Sequence, residues 1–346
     1  MDIAKRFPEN PIIKPEDVKP SRKDFIVECV FNPGVFKYRD KIGLLCRVAE
    51  RTKQKEGMLS VPILENNKLK IIEINLRDPE LEYNDVRKFR YKGKGYLTTL
   101  SHLRIAWSKD GRNFTVEEEP AIYGEGEYET FGVEDCRVNI VEGRYLLTYT
   151  AVSENGVCVG LIETENFKDF KRLGIIFPPH NKDCVIFPEK VNGKYYALHR
   201  PTGLLLGGNF IWMSSSSDLI HWGNHKCIAK TRENMWDCER IGVNGPPIKT
   251  EKGYLILYHG ADYNSRYCIG AMLLDPEDPS RVISRTQHPI MEPTQDYEKE
   301  GFFGNVVFNN GHIVEGDRLI LYYGAADKYI CGAEISISEI FNLLGV

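Results

Sequence analysis

Acidic and basic side chains recur where short apolar segments end, and their types predict acid catalysis combined with anion binding. The acids are Glu134, Asp135 and Asp327, and the bases are Lys182, Arg200, Arg240 and His259. A carboxylic acid can protonate the leaving oxygen of a glycosidic bond. Clustered Arg, Lys and His side chains bind an anion such as phosphate. Together the two sets predict a site in which phosphate breaks a sugar bond.

These residues are far apart in the sequence, so a repeated structural unit must bring them together. Five segments share one pattern, an apolar strand, a turn with Gly or Asp, and a strand rich in Leu and Tyr, and they lie near residues 40, 143, 193, 253 and 316. The last four turn glycines are roughly 50 to 60 residues apart, a spacing that suits one four-stranded propeller blade with its loops. Rotation about one axis would bring equivalent positions into one pocket.

The sequence therefore predicts an all-β fold, a five-bladed β-propeller with a short C-terminal helix. Apolar residues alternate at period two, and residues 336–344 hold the one helical pattern, with Ser338 as a possible cap. A β-sandwich is the competing architecture, and the regular spacing disfavours it. We expect residues 1–346 to form one domain, with a long insertion near 51–100 rather than a weak sixth repeat.

Composition excludes several classes of protein. The chain has 346 residues, 42% hydrophobic and 27% charged, with a formal net charge of -4. This balance is that of a globular protein and argues against a nucleic-acid partner. No apolar run is long enough for a secretion signal or a membrane span, which predicts a cytoplasmic protein with no membrane partner.

The nine cysteines lack the C-x-x-C spacing of zinc or redox sites, so we expect reduced thiols and no metal site. Cys136 lies in a segment that also contains the charged residues Glu134, Asp135 and Arg137. A nucleophilic thiolate there would need a neighbouring base, and none is evident locally.

Several segments resemble glycoside hydrolase family 130, over about residues 10 to 335. They are FNPGV (31–35), GVEDCRV (132–138), NKDCVIFPEKVNGKYYALHRP (181–201), IGVNGPP and YLILYHGAD within 241–262, and GFFGNVVF and LYYGAAD within 301–327. The resemblance implies a five-bladed propeller enzyme that acts on β-mannosides, many members being inverting mannoside phosphorylases. The sequence around Glu134 and Lys182-Asp183, with the HRP triplet at 199–201, favours the branch that uses β-1,2-linked mannose.

The resemblance also implies roles for single residues. Asp135 takes the place of the family's general acid, and in some members the proton is thought to travel through a hydroxyl of the bound mannosyl unit. The implied phosphate ligands are Lys182, Arg200, Arg240 and His259, and the implied sugar ligands are Asn32, Arg47, Glu134, Arg137, Asp183 and Asp327.

The pair Lys182-Asp183 departs from the Arg-Asn pair of the family's phosphate pocket, because it places a carboxylate near the expected anion. We expect Asp183 either to turn away and pair with Lys182, or to contact sugar rather than phosphate.

The expected reaction is inverting phosphorolysis of a β-mannoside, which yields α-mannose 1-phosphate and a shortened sugar. Inorganic phosphate is then a co-substrate, and no cofactor is required. An inverting hydrolase, a β-1,4-mannoside phosphorylase and a non-catalytic binding propeller are the alternatives. A hydrolase needs a second carboxylate to activate water, for which Glu189 and Glu239 are candidates.

The sequence leaves two further features open. The insertion could wall the cleft or contact a neighbouring subunit of a homo-oligomer. Trp236 is the tryptophan best placed to stack on a sugar, whereas Trp212 and Trp222 belong to segments that we expect to form outer strands.

Overall fold

The protein is built almost entirely of short antiparallel strands, and residues 2–203 and 206–346 are described by a computed structural model. Strand β1 (Lys5–Arg6) is followed by a 3-10 turn at Pro15–Asp17, and then by β2 (Phe25–Tyr38) and β3 (Lys41–Thr52). Two small sheets come next, formed by β4 (Met58–Glu65), β5 (Lys68–Asn75), β6 (Leu81–Asp85), β7 (Lys88–Tyr91) and β8 (Lys94–Leu97). Then β9 (Leu100–Ser108) and β10 (Thr115–Val116) complete a first sheet in the order β10-β9-β3-β2.

The second and third sheets follow chain order. The second consists of β11 (Val133–Val141), β12 (Arg144–Ser153), β13 (Gly156–Thr164) and β14 (Lys171–Phe177). The third consists of β15 (Asn181–Ile186), β16 (Tyr195–Pro201), β17 (Ile211–Ser216) and β18 (Trp222–Ala229). These hairpins match the repeats, and the predicted outer-strand segments form the third and fourth strands.

The last two sheets complete the chain. The fourth sheet contains β19 (Arg240–Val243), β20 (Ile248–Thr250), β21 (Gly253–Ala261), β22 (Tyr267–Leu274) and β23 (Val282–Arg285). After helix α1 (Asp296–Lys299), the fifth contains β24 (Val307–Glu315), β25 (Arg318–Ala325) and β26 (Tyr329–Ser336). Helix α2 (Ile337–Leu344) ends the chain, as predicted, but its cap is Ser336 rather than Ser338, since the Ser336 hydroxyl accepts from the Glu339 N–H at 3.1 Å.

The two ends of the chain meet in the fifth sheet. Strand β1 pairs with β26, with Arg6 opposite Ala333. The Arg6 guanidinium also bonds the buried carboxylate of Glu298 at 3.1 Å. This pairing joins the start of the chain to its last sheet.

Apolar residues between the sheets show how the sheets are arranged. One buried cluster joins each sheet to the next, and a further one joins the fifth to the first, where Leu44 and Val48 pack with Ile320 and Tyr322. Within residues 2–203 and 206–346 there are five such sheets, and they close into a ring. The prediction of an all-β propeller-type fold is confirmed, and the number of sheets equals the number of repeats. No helix in the described parts of the chain is long and apolar enough to cross a membrane.

Candidate active site

Three first strands share a local distortion that positions the site. Strands β2, β11 and β15 each have a register shift that includes a residue with positive φ: Asn32 (46°), Asp135 (47°) and Asp183 (52°). After Gly, Asn and Asp are the residues that tolerate this left-handed conformation best. A bulge redirects the side chain that it carries. The first two side chains meet, with Asn32 Nδ2 donating to Asp135 Oδ1 at 3.0 Å.

Asp135 lies in a buried, cationic environment. Its Oδ1 also accepts from Arg47 Nη1 at 3.1 Å, and its Oδ2 lies 3.8 Å from Lys182 Nζ. Arg47 is held in place by Glu134, whose Oε1 accepts from Nη2 at 2.5 Å, and by the Ser101 hydroxyl at 3.1 Å. The residues predicted from three separate repeats are therefore in contact.

These neighbours determine the protonation of Asp135. Burial alone would raise its pKa, but the positive charges of Arg47, Lys182 and Arg137 outweigh that effect and lower the pKa to about 2. The carboxylate is thus ionised at neutral pH. A group that donates a proton from this position must first gain one.

Asp183 lies in the interior beside the site. Its Oδ1 accepts from Arg137 Nη2 at 3.1 Å and its Oδ2 from Arg200 Nε at 2.7 Å, and its side chain has no exposed surface. Burial opposes ionisation, yet Arg200 and Arg137 hold its pKa well below the usual range. Asp183 turns away from the cleft, but its partners are the two arginines and not Lys182. A direct contact of Asp183 with sugar does not fit this enclosure.

Arg137 and His259 are also enclosed rather than exposed to the cleft. Arg137 is 1% exposed and donates to the backbone oxygens of Asp135 and Asn244 at 2.9 and 3.1 Å. The His259 ring donates from Nδ1 to Asn244 Oδ1, 2.8 Å away, and its Nε2 lies 3.5 Å from Asp183 Oδ2. Burial lowers the pKa of His259 to about 4, so the ring is neutral at neutral pH. Both side chains are buried, and the ligand roles predicted for them stay predictions.

Arg200 links this interior network to the cleft. With Nε bound to Asp183, its Nη1 makes one long contact to Asn209 Oδ1 at 3.4 Å, and its Nη2 has no hydrogen-bond partner within residues 2–203 and 206–346. The Asp135 backbone, Arg137, Asp183 and Arg200 form one continuous chain of hydrogen bonds. The candidate acid and this guanidinium therefore belong to one site.

Arg240 lies on the fourth-sheet side of the site. Its guanidinium forms a two-point ion pair with Glu239, with Nη2 2.6 Å from Oε1, and its Nη1 donates to the Tyr267 hydroxyl at 3.0 Å. The Ile241 N–H bonds the Asn209 carbonyl at 3.0 Å, which fixes this strand against the segment after β16. Arg240 is thus near Arg200 through Asn209, but its charge is already offset.

Asp327 completes the predicted set from the hairpin between β25 and β26. Burial raises its pKa to about 6, assisted by the negative charge of Asp135 and opposed by Arg47 and other cations. The pKa values of the two carboxyl groups are thus shifted in opposite directions.

The remaining candidates lie elsewhere or are occupied. Glu189 bonds the Tyr254 hydroxyl and Lys249 Nζ at 2.9 and 2.5 Å, outside the group of side chains described above. Trp236 is 8% exposed and stacks on a tyrosine ring, so it packs the interior and is not a sugar platform. Burial raises the pKa of the Cys136 thiol, which keeps it protonated and unreactive.

Sequence reasoning missed Asn209, Asn244 and Tyr267. Asn244 bonds His259 and also donates to Asn309 Oδ1 at 2.7 Å, which links the fourth and fifth sheets at the centre of the ring. The first strand of each of the five sheets contains an Asn or Asp or is directly followed by one, and that recurrence could have identified Asn244. Asn209 and Tyr267 lie beyond the repeated pattern, where no spacing indicates them.

Among the described residues, no group of three or more His, Cys, Asp or Glu side chains is arranged to hold a metal ion. What the site does offer is the buried Asp135 carboxylate 3.8 Å from Lys182 Nζ, with Arg200 connected to it through Arg137 and Asp183. Among the described residues, Arg200 Nη2 has no hydrogen-bond partner. Such an arrangement can place an anion and a proton donor near one bound molecule.

Comparison with known proteins agrees with this chemistry. A model of glycoside hydrolase family 130, described as β-1,4-mannooligosaccharide phosphorylase, matches residues 83–345. The β-1,2-mannobiose phosphorylase of Listeria innocua is 47% identical over 348 residues, covering 99% of this chain and 98% of that protein. A 1,2-β-oligomannan phosphorylase of a Thermoanaerobacter species is 42% identical over 250 residues, covering 71% of this chain and 82% of that protein.

A solved structure of one of these relatives has the same fold as this chain. The crystal structure of the L. innocua β-1,2-mannobiose phosphorylase, in complex with β-1,2-mannobiose, matches with a TM-score of 0.96 at 46% identity and covers 99% of both chains. The family match covers well over half of the sequence, and the relatives exceed 30% identity over most of it. The chain therefore belongs to glycoside hydrolase family 130.

Proposed function

We propose that this protein is an inverting β-mannoside phosphorylase that acts on β-1,2-linked manno-oligosaccharides. Its substrates are the sugar and inorganic phosphate, and its products are α-mannose 1-phosphate and a sugar shortened by one unit. The observation that carries the proposal is the contact between the Asp135 carboxylate and Lys182, with Arg200 in the same hydrogen-bond network.

Asp135 is the proposed general acid. In the reaction a phosphate oxygen forms a bond to the anomeric carbon while the bond from that carbon to the glycosidic oxygen breaks, and the departing oxygen takes the proton of Asp135. Attack and departure occur on opposite faces of the ring, which inverts the configuration from β to α. Asn32 and Arg47 orient the carboxylate.

Phosphate itself explains how Asp135 becomes protonated. Lys182 helps to keep the pKa of Asp135 near 2. An anion bound beside Lys182 offsets that positive charge, so the pKa of Asp135 rises when phosphate is present. Protonation of the acid is thereby coupled to arrival of the nucleophile.

Lys182 and Arg200 are the proposed phosphate ligands, since both have donors without close partners among the described residues. Arg240 joins them when phosphate draws its guanidinium from Glu239. Asp183 and His259 hold these phosphate ligands in position. Asn32, Arg47, Glu134 and Asp327 are the groups proposed to meet the mannosyl unit.

Phosphorolysis fits better than hydrolysis because neither candidate for a water-activating base is free. Glu189 is bound to Lys249 and Tyr254, away from the site, and Glu239 is bound to Arg240. The β-1,2 linkage is favoured because both relatives described above, at 47% and 42% identity, are named for β-1,2-mannosides. In the described parts of the chain all nine cysteines are free, which fits the proposed location in the reducing cytoplasm.

The decisive experiment incubates the purified protein with β-1,2-mannobiose, with and without phosphate, and identifies products by phosphorus and proton NMR. We expect α-mannose 1-phosphate and mannose in equal amounts, and no turnover without phosphate. Asp135→Asn should lose at least about a thousandfold in kcat because the proton donor is removed. Release of free mannose alone, at a rate independent of phosphate, would refute the proposal.

A further inference from the structure

The insertion between β3 and β9 reaches the rim of the candidate site through one turn. Val86 and Arg87 connect Asp85, the last residue of β6, to β7. This turn is anchored at the base of the insertion, where Thr98 Oγ1 donates to the Val86 carbonyl at 2.6 Å and the Thr98 N–H donates to the Arg87 carbonyl at 3.0 Å. Arg51, near the end of β3, approaches the same Val86 carbonyl at 3.4 Å. The turn is therefore fixed relative to the first sheet.

Arg87 extends from this turn to the segment that precedes the fifth sheet. Its guanidinium carbon lies 3.8 Å from the centre of the Phe303 ring. The Phe303 N–H in turn bonds the carbonyl of Ala326 at 3.1 Å, directly before Asp327. Burial raises the pKa of Asp327, and Arg87 is among the cations that oppose this rise, so the Arg87 charge acts on the site.

Arg87 is rigidly held and still has a donor to offer. Asp85 accepts from its Nε at 3.0 Å and from its Nη2 at 2.9 Å, while Nη1 has no hydrogen-bond partner among the described residues. The side chain is 36% exposed. A planar guanidinium on an aromatic ring, with one edge open to solvent, suits a sugar, which presents hydroxyls to donors and C–H groups to rings.

The position within the ring decides which sugar this pair meets. The proposed phosphate ligands come from the third and fourth sheets, whereas Arg87 and Phe303 come from the first sheet's insertion and from the segment before the fifth sheet. Phosphate and the leaving sugar occupy opposite sides of the mannosyl unit in an inverting reaction.

We infer that Arg87 and Phe303 bind the sugar on the leaving side of the scissile bond and set the chain length that the cleft accepts. This inference rests on the proposed phosphorylase function. It assigns a specificity role to an insertion that the repeats do not contain.

The test measures the reverse reaction, with α-mannose 1-phosphate as donor and either mannose or β-1,2-mannobiose as acceptor. For Arg87→Ala we expect the KM of the acceptor to rise about tenfold, the effect of losing one charge-assisted hydrogen bond, while the KM of the donor stays within about twofold. The ratio of kcat/KM between the two acceptors should also change. Arg87→Lys should recover only part of the loss because lysine lacks the planar guanidinium.

Arg51→Ala is the matched control, because Arg51 lies 6.0 Å from the neighbouring Phe302 ring and also joins the insertion to that segment. If Arg87 only fastens the insertion, the two alanine variants should change both KM values alike. Unchanged acceptor KM in a folded Arg87→Ala protein would overturn the inference while leaving phosphorylase activity in place. If Arg87→Ala does not fold, Phe303→Leu gives the same comparison of donor and acceptor KM. Absence of phosphate-dependent turnover in the unaltered protein would instead refute the proposed function.

Discussion

The substitution Asp183→Asn tests whether a buried carboxylate controls phosphate binding without touching phosphate. The carboxylate accepts one bond from Arg200 at 2.7 Å and one from Arg137 at 3.1 Å. The amide keeps the shape and tolerates the positive φ of this position, but it has one acceptor oxygen in place of two. Asparagine can therefore satisfy one arginine and presents an NH₂ donor to the other.

The loss of one hydrogen bond to a charged group costs about 2 kcal/mol of binding free energy, which corresponds to a factor of about 30 in affinity. Because Arg200 is the partner that reaches the cleft, we expect the KM of phosphate to rise by about 30-fold. The KM of the mannoside should change little, since Asp183 is enclosed away from the sugar. Stability should fall as well, by about 3 kcal/mol, because a buried ion pair loses its counter-charge.

The assay is phosphorolysis at saturating mannoside with varied phosphate, supported by circular dichroism to establish that the variant is folded. Asp169→Asn, an exposed change in the outer hairpin of the second sheet, is the control and should leave both KM values unaltered. Asn209→Ala removes the longer 3.4 Å contact to Arg200 and should give a smaller increase in the KM of phosphate. A folded Asp183→Asn protein with an unchanged KM for phosphate would show that this carboxylate does not position the anion site.

Three further predictions concern pH, packing and stability. Asp327, with a pKa near 6, is ionised above that pH and protonated below it, so kcat/KM for the mannoside should fall as the pH drops through 6, and Asp327→Asn should remove this limb from the pH profile. An alanine Cβ at Gly324 would lie 2.0 Å from Asn32 Oδ1, so Gly324→Ala should displace the amide from the candidate acid and lower kcat at least about tenfold. Arg6→Ala leaves the buried Glu298 carboxylate without its cation and should cost about 3 kcal/mol in urea unfolding with no effect on KM.

Each of these has a clear contrary result. A pH profile that is flat between 5 and 7 in the unaltered protein would mean that Asp327 does not titrate in the productive complex. Gly95→Ala, where an added Cβ has no neighbour within 4 Å, is the control for Gly324→Ala, and equal activity of the two variants would show that Asn32 does not orient the acid. Wild-type stability after Arg6→Ala would show that the pairing of β1 does not depend on this ion pair.

The overall architecture could be predicted because its signal is local and repeated. The turn glycines Gly143, Gly193, Gly253 and Gly316 all have positive φ, so the residue type that marked each hairpin is the one that its backbone requires. The long interval before Gly143 contains two small sheets, which a period of about 60 residues cannot describe.

The site was harder to predict because burial decides what each charge does. Lys182 and Asp183 are adjacent in the sequence, yet one points to Asp135 and the other to Arg137 and Arg200. The bulge in β15 separates them, and nothing in the composition of the segment indicates it. The interior location of His259 is likewise set by packing against the fifth sheet, where Phe308 lies 4.5 Å from its ring.

The left-handed positions at Asn32, Asp135 and Asp183 restrict how this fold can diversify. At each of them the backbone admits asparagine, aspartate or glycine with little penalty, so exchange between amide and acid changes charge without disturbing the main chain. Enzyme engineers could therefore vary proton donation and anion affinity with a library of 27 combinations, three residue types at three positions. Within that small set, the main-chain conformation is kept while the charge at each position varies.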